Sequence, residues 1–377
     1  MLTPEYLERC SDDAIELYAE IENALLRDII KRLIETGEIS STVELRTKTA
    51  RLLGVSYNDL LRIVSQYTNR SEEVIREIFE KASIKSIEYD NEIYRKAGLN
   101  PSLLKQSPNL LQILDATINK TNGQFKNLTL SMVDSSQKVF LNKLNEVYLK
   151  TSTGAFSYTE AIKQAVEDLS RNGLYVTYPS GRKDYLDVAI KRAVRTGVSQ
   201  TTGMLQEMRA EEMGCEYYEV SAHVGARNTG TGYCNHESWQ GKVYKINGAT
   251  KEYANFYTTT GYRKIQGLCG INCRHSFFPF FPGISKRAYT DKELEQYSEK
   301  TVIYNGKIIK KYQAEQMQRG MERELRDSRR IISSYSQAYK SCKNESEKEY
   351  YNNLLNNAKI KLKKQDKLLK DFISQTK

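Results

Sequence analysis

Proline is scarce in this sequence, with six in 377 residues, and tryptophan occurs once. An internal proline costs a helix about 3 kcal/mol, so a chain with so few can hold long helices. No apolar run reaches the roughly 18 residues that a membrane-spanning helix needs, which excludes a span of that kind. The opening stretch MLTPEYLERCSDD is acidic and polar, so it is not read as a signal peptide. The chain is therefore expected to be made in a reducing cytoplasm. Its six cysteines are expected there as thiols or metal ligands rather than disulfides. Excess charge is also modest: 57 basic against 47 acidic residues leaves +10. That tolerates non-specific contact with nucleic acid without implying it, and no groove-reading motif is present. The mean hydropathy of −0.62 favours long exposed helices over one compact ball.

What is present is mostly helical. Thr3, Pro4 and Glu5 begin a helix expected over 3–37, with Leu17, Ile21, Leu25, Ile29 and Leu33 at helical spacing. ELRTKTARLLG is expected to end at Gly54, a further helix to start at Ser71, and another at Pro101. FSYTEAIKQAVEDLSRNG carries a capping box, Ser157 with Glu160, and closes at Gly173. Residues 1–173 thus read as an elongated helical domain.

The pattern then changes. LYVTYPSGRKDY carries a hairpin signal at Pro179-Ser180-Gly181, a helix is expected over 185–213, and EYYEVSAHV and GKVYKI read as strands. Residues 174–289 read as a small α+β domain with long loops, which in a compact domain serve function or an interface. Residues 290–377 read as a second capping box, Thr290 with Glu293, then a hairpin at Asn305-Gly306 and a charged helical tail. Apolar positions in that tail are sparse, which suits a helical hairpin lying on a partner. The fold class is α+β, predominantly α-helical.

Chemistry-bearing residues cluster. All three histidines lie between 223 and 275, with the single tryptophan, Trp239, and the cysteines Cys234, Cys269 and Cys273. Cys234-x-His236 and Cys273-x-His275 offer two nitrogen and two sulfur donors, the set a tetrahedral zinc takes. The structural alternative makes Cys269 and Cys273 small buried apolar residues, with the histidines orienting loops. Two catalytic readings stand beside these. In one, Cys273 is a thiolate activated by Arg274 and His275. In the other, His223, His236 and His275 serve a metal-dependent nuclease. The run SFFPFFPG buries large ring areas, its prolines forbid a helix and discourage a central strand, and any exposed rings would suit a partner.

Three segments in order, SAHVGAR (221–227), HESWQGKVY (236–244) and GLCGINCRHSFFPFFPG (267–283), resemble the phage minor capsid protein type 2 family. YNGKIIKKYQAEQMQRGMERELR and DNEIYRKAGL fit it too, and the likeness spans roughly residues 3–340. A more distant likeness joins it to Mu F-like head-morphogenesis proteins. In those the last motif reads HPNCRC, whereas here it reads INCRH. The residues that carry the resemblance include His223, Arg227, Trp239, Gly241, Asn272 and Arg274. It implies a non-enzymatic structural protein of a tailed-phage head, made in the host bacterial cytoplasm and acting at or near the portal in head assembly or DNA passage. Its implied partners are the portal and other head proteins, with packaged DNA touched non-specifically and neither a membrane nor a small-molecule substrate. No cofactor is carried over, and zinc rests on the cysteine and histidine spacing alone. The competing function is a metal-dependent hydrolase carried by the particle.

Overall fold

The computed structural model describes residues 1–178 and 180–376, and the side chains of all of these except 50–56 and 298. The expected first helix is two. In α1 (Pro4–Arg9), Thr3 Oγ1 accepts the Tyr6 N–H at 3.1 Å; α2 runs Asp12–Thr36. Ser-Asp-Asp at 11–13 is itself a helix-start signature, and it begins a new first turn. Helix α3 (Thr42–Ser65), capped by Ser41, continues through Gly54 rather than ending there. Leu60 and Val64, beyond the glycine, are buried in the core. That burial outweighs the ~1 kcal/mol an internal glycine costs. Helix α4 is Thr68–Lys96, beginning three residues before Ser71. Pro101 opens no helix, because Asn91 Nδ2 holds the Ser102 carbonyl at 2.9 Å and the chain makes a short 3-10 turn. Pro108 opens the long α5 (Pro108–Ser152) instead. Helix α6 (Tyr158–Asn172) starts with Ser157 accepting the Glu160 N–H at 3.2 Å, half of the expected capping box, while the Glu160 carboxylate accepts from Gln164 instead; it stops at Gly173, as its sequence signals.

Strands β1 (Tyr175–Thr177) and β2 (Lys183–Tyr185) form the first hairpin, whose Pro179 lies outside the described residues. Helix α7 (Leu186–Glu212) follows. A three-stranded antiparallel sheet comes next, ordered β4-β3-β5, from β3 (Tyr217–Val220), β4 (Val243–Lys245) and β5 (Phe277–Phe280). The short helices α8 (His236–Trp239) and α9 (Phe256–Thr260) lie in the connections. Strand β5 is an edge, where Pro279, opposite Tyr218, needs no N–H on its outer side. Its rings form no partner surface. All four residues of β5 are buried; Phe278 meets Tyr89 with ring centres 5.5 Å apart, and Phe281 meets Tyr94 at 5.9 Å. Both tyrosines belong to α4.

After β5 come α10 (Asp291–Gln296), with its capping box made in both directions, and the hairpin β6 (Thr301–Tyr304) and β7 (Lys307–Lys310). Asn305 and Gly306 both have positive φ, as a tight hairpin turn requires. Helices α11 (Lys311–Ser341) and α12 (Glu345–Thr376) then pack against each other. This tail lies on its own chain. Helix α11 packs on α2 and α6, and Arg330 donates to the carbonyls of Ser170 at 3.1 Å and Arg171 at 2.7 Å, at the end of α6.

The cores follow from this. One apolar cluster runs from α1 to α7 and takes in Tyr335, Cys342, Tyr351 and Leu355 of the tail, so it crosses both the 173/174 and the 289/290 boundary. A second gathers Tyr218, Trp239, Phe256, Tyr262 and Phe277 around the sheet, with Tyr94 of α4 and Ala210 of α7 beneath it. The fold is α+β with helix predominant and small antiparallel sheets.

Candidate metal centre

The opening turns of the motif region are tightly wound. Cys269 and Asn272 have φ of 58° and 60°. A Cβ on Gly267 would lie 2.0 Å from the Gly261 carbonyl oxygen, and one on Gly270 would lie 2.3 Å from that of Ile265. No side chain fits at either position, so glycine is required for the loop to close. This winding delivers Cys273 and His275 to the inner end of β5. From the opposite side comes α8, capped by Asn235, whose side chain accepts the Ser238 N–H at 3.2 Å.

Three of the four ligands expected from sequence meet there. The donor atoms of His236, Cys273 and His275 all lie within 4.8 Å of one another. Cys273 Sγ is 3.5 Å from His275 Nδ1 and 3.8 Å from His236 Nδ1. Cys234 does not join them: its Sγ donates to Gln266 Oε1 at 3.1 Å on a partly exposed loop. The x in Cys234-x-His236 turns the cysteine outward as the helix begins.

The tautomers are set by carbonyl oxygens. His236 Nε2 lies 2.8 Å from the Gln266 backbone carbonyl, so it carries the proton. Gln240 Oε1 accepts the His223 backbone N–H at 3.0 Å and is therefore the oxygen of that amide; it also lies 3.1 Å from His275 Nε2, which must donate. Both rings thus turn an unprotonated Nδ1 toward Cys273. His223 instead faces the Val224 carbonyl through Nδ1 at 2.8 Å and lies against His275, ring centres 4.3 Å apart.

The site is sealed. His236 is 3% exposed, Cys273 2%, His275 1% and Trp239 1%. Trp239 covers His236 and His275, at 4.6 Å and 4.8 Å between ring centres, and donates its Nε1–H to the Tyr233 carbonyl at 3.1 Å. Burial pushes all three histidines below their ordinary pKa, His223 to about 3, so they are neutral at pH 7. Burial likewise pushes the Cys273 thiol up, against the lowering effect of the neighbouring Arg274.

Arg274 turns to the rim, donating to Glu315 of α11 at 3.2 Å and to the Val224 carbonyl at 3.3 Å. Arg227 holds the Gln266 carbonyl at 3.4 Å, and Asn272 is exposed. Gly241, φ 67°, leaves room for Leu294, whose Cδ2 would be 2.5 Å from a Cβ there. Two participants were not visible in sequence. Gln266 acts through its backbone carbonyl, so its side-chain type is no signal. Glu8 of α1 binds Arg195 at 2.9 Å and Arg319 at 2.8 Å, fastening α1, α7 and α11 beside the rim.

These residues lie within one family's pattern. The family model described as phage minor capsid protein 2 matches residues 2–374. The chain belongs to that family. A "Structural protein" of Lactococcus phage LL-H is similar, 24% identical over 297 residues, which is 75% of this chain and 75% of that one. No solved structure matches the chain. Family membership makes this a phage structural protein, a minor capsid component with other head proteins as its partners. Among the described residues no helix is long and apolar enough to cross a membrane.

Proposed function

We propose that this minor capsid protein is a non-enzymatic component of the phage head, acting at or near the portal vertex in head assembly or DNA passage. The observation that carries the non-enzymatic part is the seal over the cysteine–histidine cluster. A nuclease metal must meet a phosphodiester, yet the three gathered donors are at most 3% exposed and lie beneath Trp239. A hydrolase would need that wall to open. The +10 charge fits packaged DNA nearby without sequence readout. The β6–β7 hairpin supports a protein partner: Ile303 and Ile308 stand opposite each other across it and are 60% and 73% exposed.

Quantitative peptide mass spectrometry on density-purified particles tests the location. A fixed low ratio of this protein to the portal subunit, kept when tails are removed, is expected. Absence from mature particles overturns a resident head role. A nuclease assay on the purified chain tests the other half. Cleavage that disappears in a His236→Asn/His275→Asn double variant would establish the hydrolase reading instead.

A further inference from the structure

The sealed cluster carries an inference that family membership does not. It contains more acceptors than donors. His236 and His275 each spend their single N–H outward, on Gln266 and Gln240, and each turns a lone pair inward. Between those lone pairs stands one thiol, Cys273, with one proton. One S–H, a weak donor, cannot serve two acceptors. Without a further species, a buried imidazole lone pair is left unmatched, at a cost of about 1–3 kcal/mol.

The spacing fits an ion. Zinc bonds of about 2.3 Å to sulfur and 2.0–2.1 Å to nitrogen place tetrahedral sulfur and nitrogen ligands about 3.6 Å apart. The two sulfur–nitrogen separations are 3.5 Å and 3.8 Å. The outward bonds are those that fix and polarise metal-ligating histidines, one to a backbone carbonyl and one to a side-chain amide. Cys269, its Sγ turned to the His275 carbonyl at 3.9 Å, is not one of the three.

We propose that His236 Nδ1, Cys273 Sγ and His275 Nδ1 hold a structural transition-metal ion, zinc by the character of the donors, with a water in the fourth position. Sulfur and imidazole nitrogen exclude magnesium and calcium, which take oxygen. On binding, the Cys273 S–H bond breaks, its electron pair goes to the metal and one proton leaves to solvent. The ion ties α8 to the start of β5, two pieces of chain that share no ladder bond. The site differs from the one the sequence suggests, because Cys234 is left out.

The test uses the full chain without a polyhistidine tag, purified without chelator. Elemental analysis should find one zinc per chain. After zinc removal, cobalt should bind at one equivalent, release one proton per ion and give thiolate-to-cobalt charge-transfer absorption with the d–d bands of a tetrahedral site. Cys273→Ser should abolish the charge-transfer band and Cys234→Ser should keep it. Should Cys273→Ser fail to fold, the cobalt titration of the native sequence decides alone. A chain folded by circular dichroism that takes up neither ion overturns the proposal, as does a band that survives Cys273→Ser or is lost in Cys234→Ser.

Discussion

His275 donates its Nε2–H to Gln240 at 3.1 Å, and that bond aims its Nδ1 at Cys273. The same amide oxygen holds the His223 N–H, so one side chain fixes two buried donors. Gln240→Met keeps the volume and removes both bonds. Unfolding in urea should show a loss of about 2–4 kcal/mol, the cost of two unmatched buried donors. Gln266→Ala should lose under about 1 kcal/mol, because its backbone carbonyl, the atom His236 uses, remains.

Rising pH should weaken the fold through two buried carboxyls, and falling pH through the buried histidines. Asp90 is fully buried, and burial pushes its pKa up to about 7 against the hydrogen bond from Gln206. Glu219 is pushed up to about 7 by burial as well. The folded state therefore holds protons that the unfolded state releases near pH 4. Their contribution is fully present below that pH and is lost between about pH 4 and 7, by up to about 1.4 kcal/mol per group per pH unit, levelling off above 7. Asp90→Asn should remove about half of this loss between pH 4 and 7 in urea titrations. The histidines act oppositely: lowered in the fold, they cost stability as pH falls below about 6.5.

Two glycines should respond with opposite signs. A Cβ on Gly267 would sit 2.0 Å from a backbone oxygen, so Gly267→Ala should unwind the 261–273 loop and cost several kcal/mol, read as lost Trp239 fluorescence structure and a lower Tm. Gly123 lies inside α5 with open space where a Cβ would point. Gly123→Ala should raise stability by about 0.5–1 kcal/mol.

Ile308→Lys tests the exposed hairpin. It should leave the Tm of the isolated protein unchanged, because the side chain is 73% exposed, and reduce incorporation into particles severalfold. Equal incorporation would free the hairpin of any role in head contact.

The sequence was most readable where local chemistry decides the outcome. Ser157, Thr290 and Asn305-Gly306 each produced the cap or turn their residue types encode. It was least readable where distant residues decide. Gly54 failed to end α3 because Leu60 and Val64 had a core to enter, and Pro101 yielded to a bond from Asn91. The cluster was half legible. Composition marked His236, Cys273 and His275, but the outward turn of Cys234 and the parts played by Gln266 and Glu8 depend on backbone direction and long-range packing.

The Arg330 clasp on Ser170 joins residues 160 apart. At roughly 5–20 residues per second, a ribosome needs roughly 8–30 seconds to travel that distance. For all that time the faces of α2 and α6 that α11 will cover stand bare. The packing of α2 and α6 is therefore completed only when the chain is nearly whole. A chain cut short before α11 would leave those faces of α2 and α6 open to water.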